Sequence, residues 1–292
     1  MRLRPFPLIS LLVCAAACRG EVAWSAPDWR PERAPLRIVA ASVLATEVLL
    51  EIAPRERIAA VHFVAADPRW SVVADRCIGL PVVGAEPEQL LAARPDLVLC
   101  DPFTRPETLA LLAQVNVPVV TTANPGSFAD IAANVRRIGA VCHLDAEAAR
   151  LVATMDERLA AVRVRSAEVA TFAVMNLDGA LHAHGRPSLF DAVVTAAGAR
   201  NLAAEHGTGP FRKLDVEAVL SWRPDVVVLA GECGSVGVVP AWLAQAPGLG
   251  LLPCVRNGRV VTVRAPLLAS TSHHLVEAAR ELQDRLLAWG KP

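Results

Sequence analysis

Residues Glu88–Cys100 read E-Q-L-L-A-A-R-P-D-L-V-L-C, and residues Glu217–Leu229 read E-A-V-L-S-W-R-P-D-V-V-V-L. In each copy a glutamate opens a short amphipathic helix, an Arg-Pro pair (Arg94-Pro95, Arg223-Pro224) stops it, and an aspartate leads into an apolar run. Proline disfavours the right-handed α region for the residue before it, so each helix must end there. The run that follows has the length and branching of a strand buried on both faces. A helix–turn–strand unit used twice, about 129 residues apart, predicts two lobes of similar build.

The rest of the chain fits that plan. Strands are expected at Arg37–Ser42, Ile58–Phe63, Leu80–Gly84, Asp96–Cys100 and Val117–Thr122, with helices at Ala45–Ala53, Glu88–Arg94 and Pro106–Val115 between them. Strand–helix alternation at these spacings predicts a parallel, doubly wound sheet. From Ser127 the period turns helical, over Ser127–Ala140 and then Asp145–Ser166, with Asp145 as a candidate N-cap. The second of these helices is about 30 Å long and reads as a strut joining the lobes. The second lobe is expected to run from strand Val169–Asn176 through a loop at Leu181–Pro187, helix Ser188–Ala197, a loop at Asn201–Gly209 and the second Glu helix, capped by Asp215. Strand Asp225–Ala230, helix Pro240–Ala246, strand Arg259–Arg264 and helix Ser272–Trp289 complete it, with His273-His274 in a capping or exposed position. The domain reading is a signal segment 1–18, a tether 19–35, an N-terminal lobe 36–140, a linker helix 141–167 and a C-terminal lobe 168–292.

Arg2 and Arg4 precede the apolar segment Phe6–Ala17, too short to span a bilayer and ending in Ala15-Ala-Ala-Cys18. Small residues before a cysteine resemble a lipoprotein cleavage site, which would leave Cys18 lipidated; Ala15 stands where a leucine is more usual, and ordinary cleavage with release is the other reading. Both put the mature chain outside the cytoplasm. Five further cysteines follow (Cys77, Cys100, Cys142, Cys233, Cys254), an odd number without the close spacing of a zinc site. A Cys233–Cys254 disulfide stays open. Formal charge is balanced, with 29 basic and 29 acidic residues, which gives no footprint for nucleic acid or an anionic membrane surface.

Arg37–Glu47 (R-I-V-A-A-S-V-L-A-T-E), Gly84–Leu99, Val115–Val120, Ala196–Ala204 (A-A-G-A-R-N-L-A-A) and Asp215–Leu229 together, in this order and spacing, resemble the substrate-binding proteins of ATP-driven importers for vitamin B12, iron–siderophore complexes and haem. The likeness covers nearly all of Arg37–Trp289. It implies an α/β fold of two doubly wound parallel-sheet lobes bridged by one long α-helix, with the ligand between them. It also implies an ABC permease dimer with its ATPase subunits as partner, membrane contact only through a lipid anchor, and no resident cofactor, any metal arriving with the ligand. By position in the motif, Glu88 and Glu217 correspond to the glutamates that dock on the permease, and Phe211 to an aromatic that packs on a macrocyclic ligand.

Ligands of open α/β sheets bind where strands end. The candidates there are Ser42, His62, Phe63, Trp70, Asp101 and Phe103 in the first lobe, with His182, His184, Phe211 and Arg264 in the second. A large flat or chelated ligand needs aromatic walls and a few directional polar groups. The chain has no tyrosine, so the Tyr ligand of many haem-binding relatives is missing; His62 or His182 could serve a metal. Two other functions compete: capture of a free metal ion or oxyanion, and hydrolysis. The first needs convergent His and carboxylates. For the second, Cys233-Gly-Ser-Val-Gly237 resembles a nucleophile elbow but has Cys233 where glycine is required. Gly248–Pro253 lacks the third glycine of a dinucleotide fingerprint. No catalytic residue is expected.

Overall fold

A computed structural model describes residues 28–163, 170–177, 180–231 and 237–288. Cys18 with the signal segment, Cys233, and the expected end of the linker helix after Arg163 lie outside these residues.

The first lobe alternates strand and helix. In chain order it holds β1 (Ile38–Ala40), α1 (Val43–Ile52), β2 (Ile58–His62), α2 (Ala74–Cys77), β3 (Val82–Val83), α3 (Pro87–Ala92), β4 (Leu97–Cys100), α4 (Pro106–Gln114) and β5 (Val119–Thr121). The five strands pair in the order β3-β2-β1-β4-β5, all parallel. Because successive residues of a strand face opposite ways, Ile38, Ala40, Leu97 and Leu99 join the large core under α1 and α5, while Val39, Ala41, Val98 and Cys100 pack on the other face. Both faces are covered, which is why the strands read as unbroken apolar runs.

Helices α5 (Phe128–Cys142) and α6 (Asp145–Arg163) follow as a hairpin. Ser127 caps α5 by accepting from Asp130 N, and His143 ends it in the left-handed region. A side chain at Gly139 would place its Cβ 2.4 Å from the Ala148 Cβ, so glycine allows the two helices to close on each other. Asp145 is the first residue of α6, and its carboxylate pairs with Arg30. The stretch read as a tether is bound to this lobe from residue 28 onward. Trp29 packs on the core, Arg137 donates to the Trp29 carbonyl, His143 Nε2 lies 2.8 Å from the Pro31 carbonyl, and Arg57 donates to the Pro35 carbonyl.

The second lobe contains β6 (Ala170–Leu177), β7 (Ala180–Ala183), α7 (Leu189–Ala196), β8 (Arg200–Asn201), α8 (Leu202–Glu205), β9 (Arg212–Lys213), α9 (Val216–Trp222) and β10 (Val226–Gly231). After these come α10 (Ala241–Gln245), α11 (Pro253–Arg256), β11 (Val260–Arg264), α12 (Ala265–Leu268) and α13 (Leu275–Ala288). Its sheet runs β11-β10-β6-β7-β9, with β8 on the start of β6. This sheet is mixed, not wholly parallel as the sequence reading had it: β7 is antiparallel to both β6 and β9. The expected loop at Leu181–Pro187 is therefore partly strand. Leu177 pairs with Ala180, and the Asp-Gly between them is the strongest short hairpin signal a sequence can carry. It is easily passed over because Ala180–Ala183 offers one bulky apolar residue.

The duplicated unit repeats in the backbone. Arg94 and Arg223 end their helices with φ of 51° and 50°, and the strands that follow bury four consecutive residues each. Behind the sheets the lobes are not separate. One apolar cluster runs from Ile38 and Leu99 through Leu151 and Met155 of α6 to Val193, Val228 and Leu282. Helix α6 touches α1, α7 and α13 as well as α5, so the strut is embedded in both lobes along its length.

Candidate functional site

All strands of a parallel sheet end at one edge, so Ser42 after β1, His62 and Phe63 at the end of β2, and Asp101 and Phe103 after β4 fall on the same rim of the first lobe. The Ser42 hydroxyl accepts from Ala45 N as the cap of α1 and is 2% exposed, which commits it to structure. Thr46 Oγ1 joins the neighbours, donating to the Ser42 carbonyl and accepting from His62 N at 3.1 Å. His62 is half-buried, with Nδ1 enclosed and unpartnered. Burial pushes its pKa down, against a smaller raising effect of the Asp101 carboxylate. Asp101 Oδ1 accepts from Phe103 N and Thr104 Oγ1, which turns the chain and sends the Phe103 ring outward. Phe103, Phe63 and Trp70 are 75%, 55% and 48% exposed.

In the second lobe three segments converge. The His182 ring on β7 stacks on Phe211, with centroids 4.4 Å apart and planes 9° from parallel. His184 meets the Phe211 edge at 5.2 Å and lies 5.8 Å from Phe190 of α7, a ring absent from the candidates drawn from the sequence. His182 Nδ1 and His184 Nε2 are buried without partners. Burial lowers the His184 pKa, with His182 adding to the effect. Phe211 itself remains 49% exposed.

Arg264 does not belong with this group. It ends β11, three strands from β7, or roughly 14 Å at the usual strand spacing. Its Nε donates to Glu281 on α13 at 2.8 Å, a carboxylate that Arg285 also holds. The His273-His274 expectation also changes. Both precede α13, and His273 is buried instead of exposed, because the chain crosses the seam between lobes there. The two rings lie 4.0 Å apart and line a cavity of about 250 Å³ with Glu51, Arg150, Met155 and Arg158.

Glu88 and Glu217 occupy the first turns of α3 and α9, both exposed and without an ion pair among the described residues. Asp215 accepts from Glu217 N and Ala218 N, as a cap should. Each helix leads into a strand running parallel to its sheet neighbours, so each helix start stands at the edge where those neighbours end. The partial positive charge of a helix N-terminus favours a carboxylate there by about 0.3–1 kcal/mol.

Among the described residues no group of three or more His, Cys, Asp or Glu is arranged to hold a metal ion. Cys77, Cys100, Cys142 and Cys254 are free and buried. No helix among them is long and apolar enough to cross a membrane.

Two α/β lobes with exposed aromatics, joined behind by a shared core, form the architecture of a solute-binding protein. The sequence profile of the periplasmic binding protein family matches residues 38–267, and the chain belongs to that family, whose members work outside the cytoplasm. Among solved structures it is similar to the periplasmic heme-binding protein RhuT from Roseiflexus sp. RS-1 in its apo form. The identity is 26% and the TM-score 0.75, over 86% of this chain and 98% of that one. It is also similar to the periplasmic heme-binding protein BhuT in complex with two hemes (26%, TM-score 0.72, 87% and 98%). The vitamin B12 binding protein BtuF of Vibrio cholerae shares the fold at 19% identity (TM-score 0.67, 88% and 99%). No curated protein sequence matches the chain at a significant level.

Proposed function

We propose that this protein is the substrate-binding component of an ABC importer and that it captures a metal chelate with a flat, apolar face: haem, cobalamin or a ferric siderophore. The reading rests on one observation above the others, the exposed Phe211 ring held in a stack on His182. A ring fixed by such a stack loses little freedom when a planar ligand covers its open face. Phe63, Trp70 and Phe103 supply further apolar surface from the other lobe. His62 and His182 offer imidazole nitrogens to a metal that comes with the ligand, in a chain that has no tyrosine. That RhuT and BhuT are heme-binding proteins supports haem as the first chelate to try.

The loaded protein docks on a permease dimer served by ATPase subunits, with Glu88 and Glu217 each entering an arginine pocket through charge-assisted bonds. Cys18 holds the chain at the membrane through a lipid.

Absorbance and thermal-shift titrations with hemin, cyanocobalamin and a ferric hydroxamate test the ligand. One of them should saturate and raise the melting temperature; no shift with any of the three refutes the reading. Equilibrium dialysis with the bare metal tests the competing free-ion function, which would retain metal without a chelator. Charge reversal at both positions (Glu88→Lys with Glu217→Lys) should abolish uptake while affinity stays within a few fold, and unchanged uptake would remove the docking role.

A further inference from the structure

Glu47 is a carboxyl group with 0% exposure in the middle of α1. Its two oxygens are satisfied from different lobes. Oε1 accepts from the Ser71 hydroxyl at 3.0 Å, a partner within the first lobe. Oε2 accepts from Ser270 at 2.7 Å and from Ser272 at 2.6 Å, both on the segment that joins α12 to α13 in the second lobe. All three serines are buried, and Ser270 Oγ also accepts from Ser272 N at 3.2 Å. An acidic group enclosed by apolar packing is tolerable only while its hydrogen bonds last, since water cannot replace them without opening the seam.

The surrounding packing could have joined the lobes without any polar group. Apolar burial is non-directional, whereas a carboxyl group with three hydroxyl donors is satisfied in one arrangement. The residue before it, Thr46, bonds the Ser42 carbonyl and His62 N on the rim of the first lobe. One turn of α1 therefore connects the rim to the second lobe through adjacent side chains.

We propose that Glu47, gripped by Ser270 and Ser272, is the pin that fixes the angle between the two lobes in the ligand-free protein. The lobes rotate about this point, and the cleft width is set by it before any ligand arrives. The inference goes beyond the proposed function and does not depend on which ligand binds.

The test is a distance distribution between the lobes of the full, ligand-free chain. Nitroxides on p-acetylphenylalanine replace exposed Ile78 in the first lobe and exposed Leu251 in the second. The distribution is read by pulsed electron resonance beside a circular dichroism melt. Ser270→Ala with Ser272→Ala should keep a cooperative melt and broaden the distribution at least twofold. Glu47→Gln, which keeps one acceptor oxygen, should broaden it less. Ser71→Ala removes only the donor from the same lobe and should leave the width as in the parent. Should the double variant fail to fold, Ser270→Ala alone is read by the same criterion. An unchanged width in the serine variants, or equal broadening by Ser71→Ala, overturns the proposal; the latter would assign Glu47 to the packing of the first lobe alone.

Discussion

Mild acid should destabilise this protein well before its carboxylates protonate, and His273 is the main reason. The ring is 8% exposed, and burial, followed by the neighbouring His274, Arg158 and Arg76, pushes its pKa down to about 3. An unfolded histidine titrates near 6.5. Between those two values the unfolded chain binds a proton at this residue that the folded chain does not. Stability is thus complete above pH 6.5 and is lost as pH falls toward 3. One proton taken up only on unfolding changes stability by about 1.4 kcal/mol per pH unit. Lowering the pH from 6.5 to 5.0 should then cost about 2 kcal/mol through His273 alone. Burial lowers His274, His62 and His184 as well, which act in the same direction. Glu281, whose carboxylate is held below its usual range by Arg264 and Arg285 despite burial, loses its contribution only at pH below its unfolded value, outside this window. Urea unfolding followed by circular dichroism at several pH values from 7.5 to 5.0 measures the slope. His273→Asn, which cannot titrate, should flatten it by about 1.4 kcal/mol per unit whatever it does to stability at neutral pH. A stability that is flat across the range, or a slope the same in His273→Asn, would refute the reasoning.

Three further changes can be checked with the same preparation. Gly139→Ala brings a Cβ against Ala148 at 2.4 Å, between two rigid helices; the strain should outweigh the gain in helix propensity and cost about 1–3 kcal/mol in urea unfolding. Phe211→Ala removes the stacked wall and should weaken the chelate that binds by roughly tenfold in an absorbance titration, the scale of one aromatic contact. Burial pushes the Cys100 and Cys142 thiols up to about 12; both should resist Ellman's reagent at pH 8 in the native protein and react on unfolding in guanidinium.

Much of the first lobe could be read directly from residue order. Strand and helix alternation there is local: Leu97–Cys100 is apolar throughout because helices cover both faces, and Arg94 and Arg223 end helices because a proline follows each. The paired glutamates at helix starts were legible for the same reason, since a repeated motif carries its own alignment. Asp215 also makes the cap expected of it. Such signals act within one or two turns of chain, over distances that steric contact and a single hydrogen bond can span.

Contacts between distant segments were decided only when the sheets packed. The β6–β7 hairpin brings His182 to a ring 29 positions away, at Phe211. Arg264, at a strand end like the other candidates, is drawn to Glu281 because β11 lies beside α13. His273 sits at a helix start, where exposure is the ordinary outcome, yet the second lobe folds it into the seam. Glu47 looks like one more polar position on an amphipathic helix until Ser270 and Ser272 reach it across more than two hundred residues. Periodicity states which face of an element is apolar, but it does not state which other face will meet it. That choice is made by the collective packing of both lobes, and it is this packing that separates a solvated side chain from a buried one.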